Sequence, residues 1–151
     1  MTGSIASHFD ERDVQVVAQA PVLVFLLVSA ADGTIDKHEI KGFESLLLSE
    51  HYSDLLAVMA RARLSVLATL RQLSENPVDY LAELRRIDRI LDHRLPDSLA
   101  LQVKRQLYDL GHHIASSSGL FLGEIGDSIS DQERTALKVI AGLFGINGSQ
   151  R

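Results

Sequence analysis

Residues 30–39 read AADGTIDKHE and residues 124–133 read EIGDSISDQE, so one short pattern occurs twice in this chain of 151 residues. When Ile35 is aligned with Ile129, both stretches end on a glutamate. Each copy follows an apolar segment and precedes an amphipathic one, which is the pattern of a helix end, a tight acidic turn and a helix start. The repeat therefore predicts two similar halves, each built around a pair of helices.

The rest of the chain also has helical periodicity. Apolar residues recur at spacings of three and four, and no segment shows a sustained period of two. We expect helices over residues 10–31, from 37 to about 47, and over 53–73, 77–95, 97–115 and 131–145. Pro21 should either kink or split the first of them. Asn76 should cap the fourth, with Pro77 at its first position, and residues 116–119 should end the fifth.

A single domain accounts for this length, because 151 residues can bury a core without a metal or a disulfide. We expect a single-domain all-α bundle spanning residues 10–146, and frayed termini at 1–9 and 147–151. Glycines inside helices, at Gly42 and Gly142, predict close helix packing. The expected core around the acidic turns comprises Leu26, Phe43, Leu46, Leu137, Ile140 and Phe144.

Charge and composition narrow the possible functions. The net charge is −5, which disfavours a nucleic-acid surface, and the absence of cysteine excludes disulfides, thiolate catalysis and cysteine-based metal sites. The longest apolar run, residues 21–31, is too short to cross a bilayer and predicts a helix buried on all sides. The acidic N-terminus lacks the basic start of a secretory signal, so we expect no membrane insertion.

The first interpretation of the acidic turns is structural. Asp36 and Glu39 fit the capping box, in which the first side chain caps a helix and the glutamate reaches back to the backbone N–H of the cap. Ser130 and Glu133 fit the same pattern. Carboxylates in a first turn also suit the helix dipole. This interpretation accounts for all four residues but leaves Asp32 without a role.

A second interpretation is a calcium-binding EF-hand loop that ends at Glu39. Asp32 and Gly33 then occupy matching loop positions. Val28 and Ala30, however, would occupy the first and third ligand positions, where neither side chain can supply an oxygen. The second copy also departs from the pattern, so we do not expect a working EF-hand.

A third interpretation is a divalent-cation site shared by the two turns. Carboxylate oxygens are hard donors that suit Ca²⁺, Mg²⁺ or Mn²⁺. The candidate ligands are Asp32, Asp36, Glu39, Asp127, Asp131 and Glu133. Asp32 and Asp127 are the strongest candidates, because the capping boxes do not use them. The repeat permits the two turns to meet in space but does not require it.

His112 and His113 precede three serines, an arrangement in which a Ser–His nucleophile can be imagined. No acidic orienting residue or G-x-S-x-G turn accompanies them, and the chain has no phosphate-binding loop or His-Glu-x-x-His pattern. His113 could border the acidic turns as an extra ligand, but a hydrogen-bonded, half-buried histidine is the favoured alternative. We expect no enzymatic activity.

The helix end ADGTID followed by Glu39, repeated as GDSIS with Glu133 before a final apolar helix, resembles the TerB family of tellurite-resistance proteins. A similar domain begins the J-domain co-chaperone DjlA. The resemblance extends over residues 14–146, although residues 52–95 match in helical character alone. It implies about seven helices in pseudo-two-fold halves and a cytoplasmic stress-response protein.

The resemblance also implies a metal-chelating acidic surface at Asp32, Glu39, Asp127 and Glu133. Asp127 aligns with Gly33 instead of Asp32, which departs from a strictly symmetric site. The expected function is thus a non-enzymatic TerB-like domain that binds a divalent cation or a protein partner. The alternative is an interaction or scaffold domain with no metal, in which the acidic turns serve only as caps.

Overall fold

The computed structural model describes residues 5–29, 36–76, 78–121 and 130–146, and within these ranges the regular structure is entirely helical. The α-helices are α1 (Glu11–Val17), α2 (Ala20–Ser29), α3 (Lys37–Leu47), α4 (Ser53–Ala62), α5 (Val66–Glu75), α6 (Tyr80–Arg94), α7 (Asp97–Phe121) and α8 (Asp131–Phe144). Short 3-10 turns lie at Ile5–His8 and Glu50–Tyr52. The predicted all-α bundle is confirmed, with about seven helices if α1 and α2 are counted together.

Helix α2 is the centre of the bundle. Its sequence is apolar all round, so it can be stable only where other helices cover every face. It packs most extensively against α7 and also contacts α5, α6 and α8. All of its residues except Leu27 are buried. The predicted helix buried on all sides is therefore confirmed.

The first helical region is split into two helices. The break falls at Ala18 and Gln19, ahead of Pro21. Pro21 is the second residue of α2, where a missing backbone N–H costs no helical hydrogen bond. Residues 5–9, which we assigned to the N-terminal tail, include a 3-10 turn at Ile5–His8. Ile5, Ala6 and Phe9 are buried against the bundle.

One predicted helix proves to be two. The segment predicted as a continuous helix over 53–73 breaks at Arg63, which adopts a left-handed conformation with φ 60°. Ser65 then caps α5, its Oγ accepting the backbone N–H of Ala68 at 3.1 Å. The apolar spacing continues across the break, which is why periodicity alone missed it.

Two other predicted helix boundaries are wrong. Asp79, and not Asn76, caps α6, because its Oδ1 accepts the backbone N–H of Ala82 at 3.1 Å. Asn76 instead follows the end of α5, and Pro77 lies outside the described residues. The serine-rich stretch at 116–119 does not end a helix, since α7 continues to Phe121. Helix propensity is a weak guide that context overrides.

The predicted core is confirmed except at one position. Five of the six residues are at most 6 % exposed, and these are Leu26, Phe43, Leu137, Ile140 and Phe144. Leu46 is only partly buried. The rings of Phe25 and Phe43 stack with centroids 4.4 Å apart, which fixes α3 against α2.

The close helix packing expected at Gly142 occurs instead at Gly111. A Cβ added to Gly111 would lie 3.2 Å from side-chain atoms of Leu137 and Val24. A Cβ at Gly142 would meet nothing within 4 Å. Gly111 therefore lets α7 approach α2 and α8 closely, whereas Gly142 lies at the surface.

Within the described residues, Glu11–Ser29 is long and apolar enough to cross a membrane by length and composition. Its apolar window is 67 % buried inside the fold, and the core helix of a bundle passes the same test. The absence of membrane insertion stays a prediction.

Candidate functional site

The start of α3 forms the first capping box. The backbone N–H of Glu39 donates to Asp36 Oδ1 at 2.8 Å, and the backbone N–H of Asp36 donates to Glu39 Oε1 at 3.0 Å. These reciprocal bonds satisfy two of the donors that a helix start leaves open. The structural interpretation of this pair is confirmed.

The start of α8 forms the second capping box with the same geometry. The backbone N–H of Glu133 donates to Ser130 Oγ at 3.1 Å, and the backbone N–H of Ser130 donates to Glu133 Oε1 at 3.1 Å. The repeat seen in the sequence is thus a repeat of local structure. Both glutamates use Oε1 to accept the backbone N–H of the cap residue.

The two capping glutamates differ in their surroundings. Glu133 is 1 % exposed, whereas Glu39 is partly exposed at the surface. Helix α8 contacts α2, α6 and α7, and Glu133 is buried although Asp131 and Gln132 in the same turn are exposed. A carboxylate withdrawn from water is costly unless hydrogen bonds or positive charge compensate for it. Among the predicted site residues that the structure describes, Glu133 is therefore the most unusual.

The structure brings together the helices that flank the acidic turns. Helix α2, which precedes the first turn, packs against α7, which precedes the second, and α3 also contacts α7. Asp131 is exposed in the first turn of α8. Asp32 and Asp127, the strongest predicted ligands, lie outside the described residues. Among the residues that are described, no three His, Asp or Glu side chains form a group that could hold a metal ion.

His113 has a partner that the sequence analysis did not identify. Tyr52 Oη lies 2.6 Å from His113 Nδ1 and Tyr52 is fully buried. Beside this pair, His51 Nε2 lies 3.4 Å from Asp109 Oδ2. Burial, and secondly the charge of Asp109, raise the pKa of the Tyr52 hydroxyl, so it stays protonated near neutral pH. This hydrogen bond gives His113 a structural role.

Lys104 forms a second polar cluster that the sequence analysis missed. Its Nζ lies 2.8 Å from Asp88 Oδ1 and 2.7 Å from Asp92 Oδ1, and the residue is 7 % exposed. Burial by itself lowers the pKa of Lys104, but the hydrogen bonds and charges of the two aspartates outweigh it and raise the pKa. The sequence feature that could have indicated this cluster is the spacing of Asp88 and Asp92, which lie one helical turn apart on α6.

Comparison with known proteins gives no further guide to the site. No protein-family model matches the chain, and neither the curated proteins nor the solved structures contain a match.

Proposed function

We propose that the protein is a non-enzymatic, TerB-like stress-response domain that binds a divalent cation at the acidic starts of α3 and α8. The observation that carries this proposal is the burial of Glu133 at the start of α8. A Ca²⁺, Mg²⁺ or Mn²⁺ ion is a hard cation that favours carboxylate oxygens such as those of Glu133. The link to tellurite resistance and a cytoplasmic location belongs to the same proposal, and it derives from the resemblance.

The described residues at the two helix starts include carboxylates, the oxygen donors that a hard cation prefers. Glu39 and Glu133 place a carboxylate at the start of α3 and of α8. Asp131 adds an exposed carboxylate one residue after Ser130. Asp32 and Asp127 would complete the ligand set. With several carboxylates available, the protein would bind the ion in the oxygen-rich coordination that these metals prefer.

A second candidate function is an interaction or scaffold domain that binds a protein partner and no metal. The observation that favours it is the completeness of both capping boxes, which already give the four cap residues a structural use. On this alternative, charge at Glu39 and Glu133 is dispensable, because a glutamine can also offer its side-chain oxygen to the cap.

Calorimetric titration with each of the three ions separates the two candidates. We expect the wild type to bind, and Glu133→Gln, Asp32→Asn and Asp127→Asn to weaken binding with little change in Tm. Asp97→Asn is the matched control, because Asp97 is an exposed carboxylate in the first turn of α7, away from the acidic turns in sequence. Native mass spectrometry with and without chelator gives the stoichiometry.

Two outcomes would refute the cation proposal. If the wild type binds no ion more tightly than the weak background of a chain with net charge −5, the turns are caps alone. If Asp97→Asn weakens binding as much as Glu133→Gln does, the affinity for the ion depends only on the net charge of the protein and the assigned residues are wrong.

A further inference from the structure

A cleft lined by arginines lies between α1 and α6. Its volume is about 240 Å³, and its walls are Asp13 from α1 and Arg86, Arg89, Ile90, His93 and Arg94 from α6. The α6 residues follow at spacings of three and four, which places them on one face of the helix. A chain with net charge −5 therefore carries a concave basic surface at this position.

The cationic groups of the cleft are not equally neutralised. Arg94 is paired with two carboxylates, its Nη2 lying 3.1 Å from Asp10 Oδ2 and its Nε 2.7 Å from Asp13 Oδ2. Arg86 forms a longer ion pair within α6, with Nη1 3.8 Å from Glu83 Oε1. Arg89 makes no hydrogen bond or ion pair with any described residue. Among the described residues, Arg89 thus lines the cleft with no carboxylate partner, and Arg86 lines it with one long ion pair.

We propose that this cleft binds the phosphate group of a small soluble phosphorylated molecule. A guanidinium presents planar paired donors that match phosphate oxygens, and Arg86 and Arg89 present two such forks one helical turn apart. The ion pairs of Arg94 with Asp10 and Asp13 hold α1, which forms one wall of the cleft, against α6. Ile90, which is partly buried, supplies an apolar surface beside the donors.

The size of the cleft limits how much of a ligand it can enclose. Pockets for drug-sized molecules have volumes of roughly 300–1,000 Å³. The cleft, at about 240 Å³, is smaller and open to solvent, so it encloses a phosphate and the few atoms attached to it while the rest of a larger ligand would lie outside. Phosphate suits the site better than a carboxylate, because a dianion with three terminal oxygens can accept from both guanidinium groups at once. The cleft shares no residue with the proposed cation site, and this inference does not depend on cation binding.

Two-dimensional NMR of the 16.6 kDa protein, titrated with inorganic phosphate and with glycerol 3-phosphate, tests the proposal. Sodium chloride at matched ionic strength controls for screening. With both phosphate probes, we expect saturable shifts of amide signals along the cleft face of α6 and in α1. Sodium chloride alone should not produce these shifts. Vesicles containing phosphatidic acid form a separate arm, and binding to these vesicles without binding to either soluble probe would overturn the assignment of a soluble ligand.

Arg89→Gln and Arg85→Gln are the decisive pair of variants. Each removes one positive charge from an exposed position of α6, but only Arg89 lines the cleft. We expect Arg89→Gln to weaken phosphate binding at least tenfold and Arg85→Gln to change it less than twofold. Arg89→Lys, which keeps the charge and loses the fork, should give an intermediate affinity. Because neither arginine has a partner in the described fold, we expect all three variants to keep the wild-type Tm.

Three results would overturn the proposal. They are an absence of saturable phosphate-dependent shifts, shifts confined to other parts of the protein, and equal weakening in Arg89→Gln and Arg85→Gln. Equal weakening would show that phosphate responds to the general charge of α6 and not to the cleft.

Discussion

Tyr52 Oη lies 2.6 Å from His113 Nδ1, and this hydrogen bond joins the turn before α4 to the middle of α7 across 61 positions of sequence. The two rings meet edge to face at 84°, and the ring of His51 packs against Tyr52 from another side. Because Tyr52 is fully buried, His113 supplies the polar contact that makes burial of its hydroxyl tolerable.

Tyr52→Phe removes this hydrogen bond and should destabilise the protein by about 0.5–1.5 kcal/mol near neutral pH. Urea unfolding measures the loss. Tyr80→Phe is the control, because Tyr80 is only partly buried at the start of α6. A loss at Tyr80 as large as that at Tyr52 would contradict a specific role for the contact with His113.

The same variant has a defined pH dependence. The pKa of Tyr52 in the fold is raised above its ordinary value of 10.0, by burial first and by the charge of Asp109 second. A group with a raised pKa contributes stability that is fully present below the unfolded pKa and is lost as pH rises through the folded pKa. The wild type should therefore lose stability above about pH 10 more steeply than Tyr52→Phe does. Parallel slopes in urea unfolding between pH 9 and 12 would refute this.

Two glycines in helices should respond differently to alanine. Gly142→Ala places a methyl group in open space and should stabilise the protein by about 0.5–1 kcal/mol through helix propensity. Gly111→Ala places it 3.2 Å from Leu137 and Val24, so strain should cancel that gain. Gly111→Val should be destabilising by about 1–3 kcal/mol. Equal stabilisation by the two alanine variants would show that α7 does not pack closely at Gly111.

Lys104→Met keeps the apolar stem of Lys104 and removes its charge from between Asp88 and Asp92. Breaking a buried ion pair costs about 3–5 kcal/mol, but Asp92 is 60 % exposed, so we expect a loss nearer 1–2 kcal/mol. Thermal melts at two salt concentrations measure it. Lys138→Met, at an exposed position of α8, is the control and should change stability by less than about 0.5 kcal/mol. A double-mutant cycle with Asp88→Asn isolates the pair.

Phe43→Ala should destabilise the protein by about 3–5 kcal/mol, because it opens a cavity in the core and removes the stack with Phe25. Leu46→Ala, one turn away on the partly buried side of α3, should cost distinctly less. Chemical denaturation of both variants provides the comparison. A larger loss at Leu46 than at Phe43 would reverse the orientation assigned to α3.

Features that depend on a few neighbouring residues were predictable from sequence. The capping boxes at Asp36 and Ser130 require only two side chains three positions apart, and both formed as predicted. The burial of α2 followed from its apolar composition on every face. The cap at Ser65 and the cap at Asp79 are also local signals, but the continuous apolar spacing and the Asn76-Pro77 pair led to different predicted boundaries.

The sequence by itself therefore determined an all-helical chain, the starts of α3 and α8, and the helix that the others surround. Only the tertiary structure decided that Glu133 is buried while the equivalent Glu39 is not, and that Tyr52 meets His113. It also placed Arg86, Arg89 and Arg94 in one cleft with Asp13. The reason is physical. A cap or a helix start is satisfied within four residues, whereas the exposure and partners of a side chain depend on which distant helix covers its face.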